Sequence, residues 1–143
     1  MSELSFINEN VDMPDFFSEE LLKSWADVIA DDYGYKCGRL SFLFCNDEKI
    51  LEVNRKYLNH DFYTDVITFD YVRRNTLSGD IVISLDTVLS NSQKFKVTYE
   101  TEFYRVFCHS ILHLIGYKDK TPDDADEMRR QEDYCLGLLF SIM

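Results

Sequence analysis

The chain has 143 residues, 45% hydrophobic and 15% aromatic, with only five Gly and two Pro; this suits one packed domain and excludes collagenous or low-complexity chains. Its 15 Lys and Arg against 26 Asp and Glu leave a net charge of −11, which argues against tight non-specific binding of nucleic acid. No apolar run approaches the roughly 20 residues of a membrane span, and the acidic start MSELSFINENVDMPDFF lacks the basic and apolar regions of a secretion signal, so a cytoplasmic protein with no membrane contact is expected.

In chain order, residues 4–8 (LSFIN) alternate as a short strand does. Ser18, with Glu19 and Glu20 behind it, is an N-cap with acids in the first turn, predicting a helix to about Asp32 that ends before Gly34. Residues 39–45 (RLSFLFC) alternate again. Asn46 caps a second helix, whose Ile50, Leu51, Val53, Tyr57 and Leu58 form an apolar stripe. After the polar and aromatic loop NHDFYT come two β-branched runs, Val66–Tyr71 and Ile81–Ser84, read as an antiparallel pair joined by RRNTLSGD. Asp80, after Gly79, is expected to serve that turn. Helices follow over Leu85–Phe95, over Tyr99 to about Ile115 with Thr98 as cap and Gly116 at its end, and from Thr121-Pro122 to about Leu136. The order predicts an α+β fold: a small mixed sheet of about four strands with helices packed on it.

The negative charge is concentrated at residues 1–32, with nine acids against Lys23, and at residues 119–133, with seven acids against three bases. Both stretches read as solvated faces, leaving room for a neutral or basic surface from residues 33–118. Cys37, Cys45, Cys108 and Cys135 form no CxxC pair and read as small buried hydrophobes.

The chemistry-bearing segment is His109-Ser110-Ile111-Leu112-His113-Leu114-Ile115-Gly116-Tyr117-Lys118-Asp119. Histidines at i and i+4 stack on one helix face, about 40° apart, and can aim two nitrogens at one point. Gly116 lets the chain leave the helix and return Asp119 toward that point. Two nitrogens and one oxygen with a fourth position open describe a catalytic zinc site. A helical histidine is often only a hydrogen-bonded core residue. Here, however, the apolar stripe of Phe103, Val106, Phe107, Ile111 and Leu114 lies well to one side of the pair. The spacing resembles the zinc-protease helix H-E-x-x-H-x-x-G-x-x-H/D, but Ser110 stands where the proteases carry their glutamate base. That substitution argues against ordinary peptide hydrolysis.

Three blocks together resemble the YbeY family of rRNA maturation factors. His109–Asp119 is similar to the family's H-G-x-L-H-L-x-G-Y-D-H. Thr64-Asp65-Val66-Ile67-Thr68-Phe69 is similar to T-D-V-L-S-F, and Gly79-Asp80-Ile81-Val82-Ile83-Ser84 to G-D-I-x-I-S. The resemblance spans about residues 40–135 and implies one metal-dependent hydrolase domain over 1–143. It implies a single-strand-specific metallo-endoribonuclease acting in 16S rRNA 3′-end maturation and ribosome quality control near the small ribosomal subunit. It also implies one Zn2+ per chain, with His109 and His113 catalytic and His109, His113 and Asp119 as the ligand set.

Two departures stand out. Asp119 replaces the family's third histidine, which lowers the charge of the site and leaves Mn2+ or another divalent ion open. Leu58 occupies the place of an arginine that the family's Y-R-G-x-D loop carries; Arg55, Lys56, Lys118, Lys120 and His60 are the nearby bases. Thr64 and Thr68 are candidate cleft residues, with Phe69 either a stacking ring or core. Asp65 either orients a ligand or substrate group or caps its loop. Lys94, Lys96 and Arg105 are candidates to track a phosphate backbone. A non-catalytic, metal-clipped assembly factor and a metallopeptidase-like hydrolase are the alternatives.

Overall fold

The computed structural model describes residues 3–59 and 64–143. Strands and helices alternate as β1 (Glu3–Asn8), α1 (Glu19–Asp32), β2 (Lys36–Cys45), α2 (Asp47–Leu58), β3 (Val66–Asp70), β4 (Thr76–Ser84), α3 (Leu85–Phe95), α4 (Tyr99–Ile115) and α5 (Pro122–Ile142). The sheet is mixed, in the order β1-β2-β4-β3: β1 and β4 run parallel to β2, and β3 runs antiparallel to β4 along one edge.

Alternation along β2 sorts its side chains between two layers. Leu40, Phe42 and Phe44 join the main core, while Cys45 faces a smaller cluster with Ile50, Val53, Ile67 and Val82 under α2. The main core lies between the sheet and α1, α4 and α5. Phe107 of α4 stacks on Phe42 at 4.7 Å and on Trp25 at 5.6 Å between ring centroids. Burying each such ring stabilises the fold by about 1.5–3 kcal/mol. This packing fixes the axial rotation of α4 and so determines where its histidines point.

Every helix cap expected from sequence forms. Ser18, Asn46, Thr98 and Thr121 accept the N–H groups of Leu21, Lys49, Thr101 and Asp124. Three boundaries differ from expectation by three residues or more, β2 beginning at Lys36 and not at Arg39. β4 begins at Thr76, so Gly79 and Asp80 lie inside a strand and not in a turn. A Cβ on Gly79 would stand 2.5 Å from the Phe69 carbonyl oxygen and 3.2 Å from Leu114 Cδ2, so this glycine serves close packing between β3, β4 and α4. α5 runs on to Ile142 because Leu139 is fully buried, and tertiary docking outweighs the cost of Gly137. All four cysteines are buried and free. Among the described residues, no helix is long and apolar enough to cross a membrane.

Candidate metal centre

α4 presents His109 and His113 on the flank turned away from Phe103 and Phe107. Their rings meet edge to face at 4.5 Å between centroids, with side chains 19% and 28% exposed. Gly116, at φ 125°, ends the helix, and the Tyr117 N–H turns back to the Leu112 carbonyl at 3.0 Å. That reversal brings Asp119 Oδ2 to 3.3 Å from His109 Nε2 and 3.5 Å from His113 Nε2. One ligand atom from each of the three residues lies within 4.8 Å of the other two.

The opposite ring nitrogens are already engaged. His113 Nδ1 is 2.9 Å from the Tyr117 carbonyl oxygen, and His109 Nδ1 is 2.6 Å from Glu132 Oε2. Both partners are acceptors, so each Nδ1 donates and each Nε2 lone pair is left facing Asp119. This is the tautomer a metal-binding imidazole needs, fixed from behind by a carbonyl and a carboxylate. The donor set therefore fits a divalent ion, with three protein ligands and room for a fourth partner.

Glu132 is a residue of the candidate site that sequence reading missed. It sits on α5, is 6% exposed, and its other oxygen accepts from Arg105 at 3.0 Å. Its only sequence signal is a charged residue on the apolar side of a helix, between Met128 and Cys135, where a buried carboxylate must have a partner.

Charges shape the titration of the site. Burial opposes charging of His109, but the Glu132 carboxylate, with Asp65 and Asp119, outweighs it and holds the imidazole above its ordinary range. Burial lowers His113, and the neighbouring His109 lowers it further. Burial raises Asp65, partly offset by His109.

A cleft of about 630 Å³ opens over the three converging residues. Its lining includes Thr64, Asp65 and Thr68 together with His109, His113 and Asp119, along with Asn54 and Leu58 from α2 and Lys120. Asn54 and Leu58, four apart on α2, face the cleft. Arg55, one residue on and about 100° round the helix, lines a separate shallow groove with Glu48 and Lys56. Lys118 is exposed and is not part of the lining; Lys120 is the lysine there. Phe69 points to the other side of β3 and meets Tyr57 edge on at 5.9 Å, in the smaller apolar cluster. Arg105 does not track phosphate: it is held at 3.0 Å by both Glu132 and Asp133. Ser110 is fully buried, its hydroxyl donating to the Phe107 carbonyl at 2.6 Å. His60 lies outside the described residues.

The architecture and the cleft define a single-domain α+β protein with a candidate divalent-metal centre on an H-x-x-x-H helix. The model of the family described as Endoribonuclease YbeY matches residues 4–139. Proteins named endoribonuclease YbeY from Parabacteroides distasonis and Phocaeicola vulgatus are 44% and 46% identical, each match covering 95% of this chain and 95% and 98% of theirs. The chain belongs to the YbeY endoribonuclease family, a family of hydrolytic nucleases. The solution structure of TM1509 from Thermotoga maritima shares the fold, with a TM-score of 0.65 over 96% of this chain and 92% of that one at 23% identity.

Proposed function

We propose that this protein is a single-strand-specific metallo-endoribonuclease of the cytoplasm. Its substrate is the 3′ end of 16S rRNA, matured and quality-controlled at the small ribosomal subunit. Residues 1–143 form one hydrolase domain holding one Zn2+ through His109, His113 and Asp119, with Mn2+ as the other ion suited to a set containing a carboxylate. The observation that carries this reading is the convergence of two committed Nε2 atoms and one carboxylate oxygen in an open cleft.

A divalent ion bound there supplies Lewis-acid polarisation of a phosphoryl oxygen. The protein's own residues do the rest. His109 and His113 hold their Nε2 lone pairs toward the cleft. Thr64 and Thr68 offer hydroxyls along its wall, and Lys120 offers a cation to a phosphate. Asp65, its carboxyl pushed up by burial, holds a proton to higher pH than an ordinary aspartate and stands in the same wall.

A second reading, a non-catalytic assembly factor clipped by a metal, draws support from Leu58, which lines the cleft where the family carries its arginine. A peptidase reading is disfavoured by the buried Ser110. Incubating the purified protein with single-stranded RNA, with a chelator and with His113→Ala separates the readings. Cleavage abolished by both treatments supports the nuclease. Stoichiometric metal with no cleavage of RNA or peptide supports the assembly factor.

A further inference from the structure

An RNA-cleaving site must hold a polyanion, yet this cleft is lined by Asp65, Asp70 and Asp119 against Lys120. Apart from the proposed divalent ion and Lys120, cations that steady the strand must lie outside it. β3 leads from the cleft to one such place. Its Val66, Thr68 and Asp70 line the cleft along the open edge of the sheet. The chain then reverses in a tight hairpin, closed by the Arg73 N–H to the Thr76 carbonyl at 3.3 Å and the return bond at 3.0 Å. Arg73 and Arg74 at its tip are exposed, Tyr71 is 57% exposed, and exposed Lys36 is fastened alongside through its N–H to the Asn75 carbonyl at 2.8 Å. In a chain of net charge −11, three bases thus gather at the end of β3 that leads from the cleft, while Tyr71 lies on the opposite face of the sheet with Phe69. The path from Asp70 to Arg74 is at most about 14 Å, the length of a fully extended chain.

The backbone adds a second observation. Arg74 sits at φ 55°, in the left-handed region where hairpin turns favour Gly or Asn. A turn selected for stability alone would carry Gly at this position.

We propose that the β3–β4 hairpin tip, Arg73 and Arg74 with Lys36 beside them, is a second binding site for single-stranded RNA. It takes backbone phosphates of the strand leaving the cleft. The guanidinium fork suits phosphate oxygens, and a positively charged track along the backbone is one way single strands are held without sequence preference. The proposal rests on the RNA reading above.

The test is fluorescence anisotropy of the full chain with labelled oligouridylates, one long and one too short to reach from cleft to hairpin, at several salt concentrations. Arg73→Ala and Arg74→Gly each weaken the long oligomer about threefold to tenfold, and the advantage of long over short RNA collapses. The slope of log K against log salt becomes shallower by about 0.7 for each phosphate that is no longer neutralised. Arg74→Gly also raises the melting temperature, because glycine accepts the turn without strain, so weaker binding cannot be ascribed to unfolding. Unchanged affinity for the long oligomer, or equal losses on long and short, overturns the hairpin site and leaves the nuclease reading intact. If the unaltered protein binds neither oligomer, the nuclease reading falls and the hairpin site falls with it.

Discussion

Glu132, on the last helix, grips the back of His109: its Oε2 lies 2.6 Å from Nδ1, on the ring edge opposite the one that faces Asp119. Glu132 is itself anchored by Arg105, which spans Glu132 and Asp133 at 3.0 Å each. A carboxylate in this position sets the tautomer, restrains the ring and makes the free nitrogen a stronger donor. Glu132→Ala is therefore expected to weaken zinc binding about tenfold to a hundredfold in a chelator competition. It also destabilises the fold by about 3 kcal/mol, because Arg105 loses a buried partner. Glu132→Gln keeps an acceptor and retains part of the affinity. Zinc binding unchanged in both variants would reduce Glu132 to a strut between helices.

Acid should release the metal. Protons compete for the Nε2 atoms, and His109 binds its proton more tightly than an ordinary imidazole because Glu132, with Asp65 and Asp119, outweighs burial. Metal affinity therefore declines as pH falls through a midpoint above about 6.5. In Glu132→Gln the largest raising charge is gone, Asp65 and Asp119 remain, and the midpoint moves down. In the metal-free protein the linkage has the opposite sense. The His109–Glu132 contribution to stability is complete below about pH 6.5 and is lost as pH rises through the raised folded value. Zinc titrations and thermal melts between about pH 5 and 8 check both signs.

In the proposed centre, Asp119 is expected to set the choice of ion. As a hard anionic ligand it favours manganese relative to a third imidazole. Asp119→His, which restores the ligand type of the family motif, is expected to shift the measured Zn2+ to Mn2+ affinity ratio toward zinc by about tenfold or more. Asp119→Ala should cost affinity for both ions in the same titration.

Leu58 lines the cleft and cannot neutralise a phosphate. Leu58→Arg should strengthen binding of single-stranded RNA and steepen its salt dependence by about 0.7. A faster cleavage rate in the same variant would show that the leucine limits catalysis. A rise in affinity without cleavage would favour the assembly-factor reading.

Gly79 controls the cleft wall from behind. A methyl group there meets the Phe69 carbonyl at 2.5 Å, so Gly79→Ala must push β3 from β4 or displace Leu114. The expected cost is about 1–3 kcal/mol, read as a lower melting temperature.

Much of this was legible in the sequence because it is local. The caps, the i, i+4 histidines and the helix-ending glycine act within a few residues, and the three converging donors lie in one eleven-residue stretch. The α+β order followed from period alone. What escaped was long-range. Glu132 reaches His109 only through the docking of α5 on α4, and nothing near it in the chain announces the partner. Arg105 looked like a free base, yet the same docking consumes it in two ion pairs. Arg55 and Lys118 are close in sequence to cleft residues, but the turn of a helix and the path of a loop decide which base lines the wall, and that base is Lys120.

The placement of Glu132 also bears on the order in which the protein is made. Translation delivers His109, His113 and Asp119 first, and the carboxylate that steadies the first of them only after a further thirteen residues. A nascent chain that has just exposed α4 thus carries all three donors with one imidazole still free to rotate. In the proposed centre, firm capture of an ion would then wait for the C-terminal helix to close, coupling loading of the centre to completion of the fold.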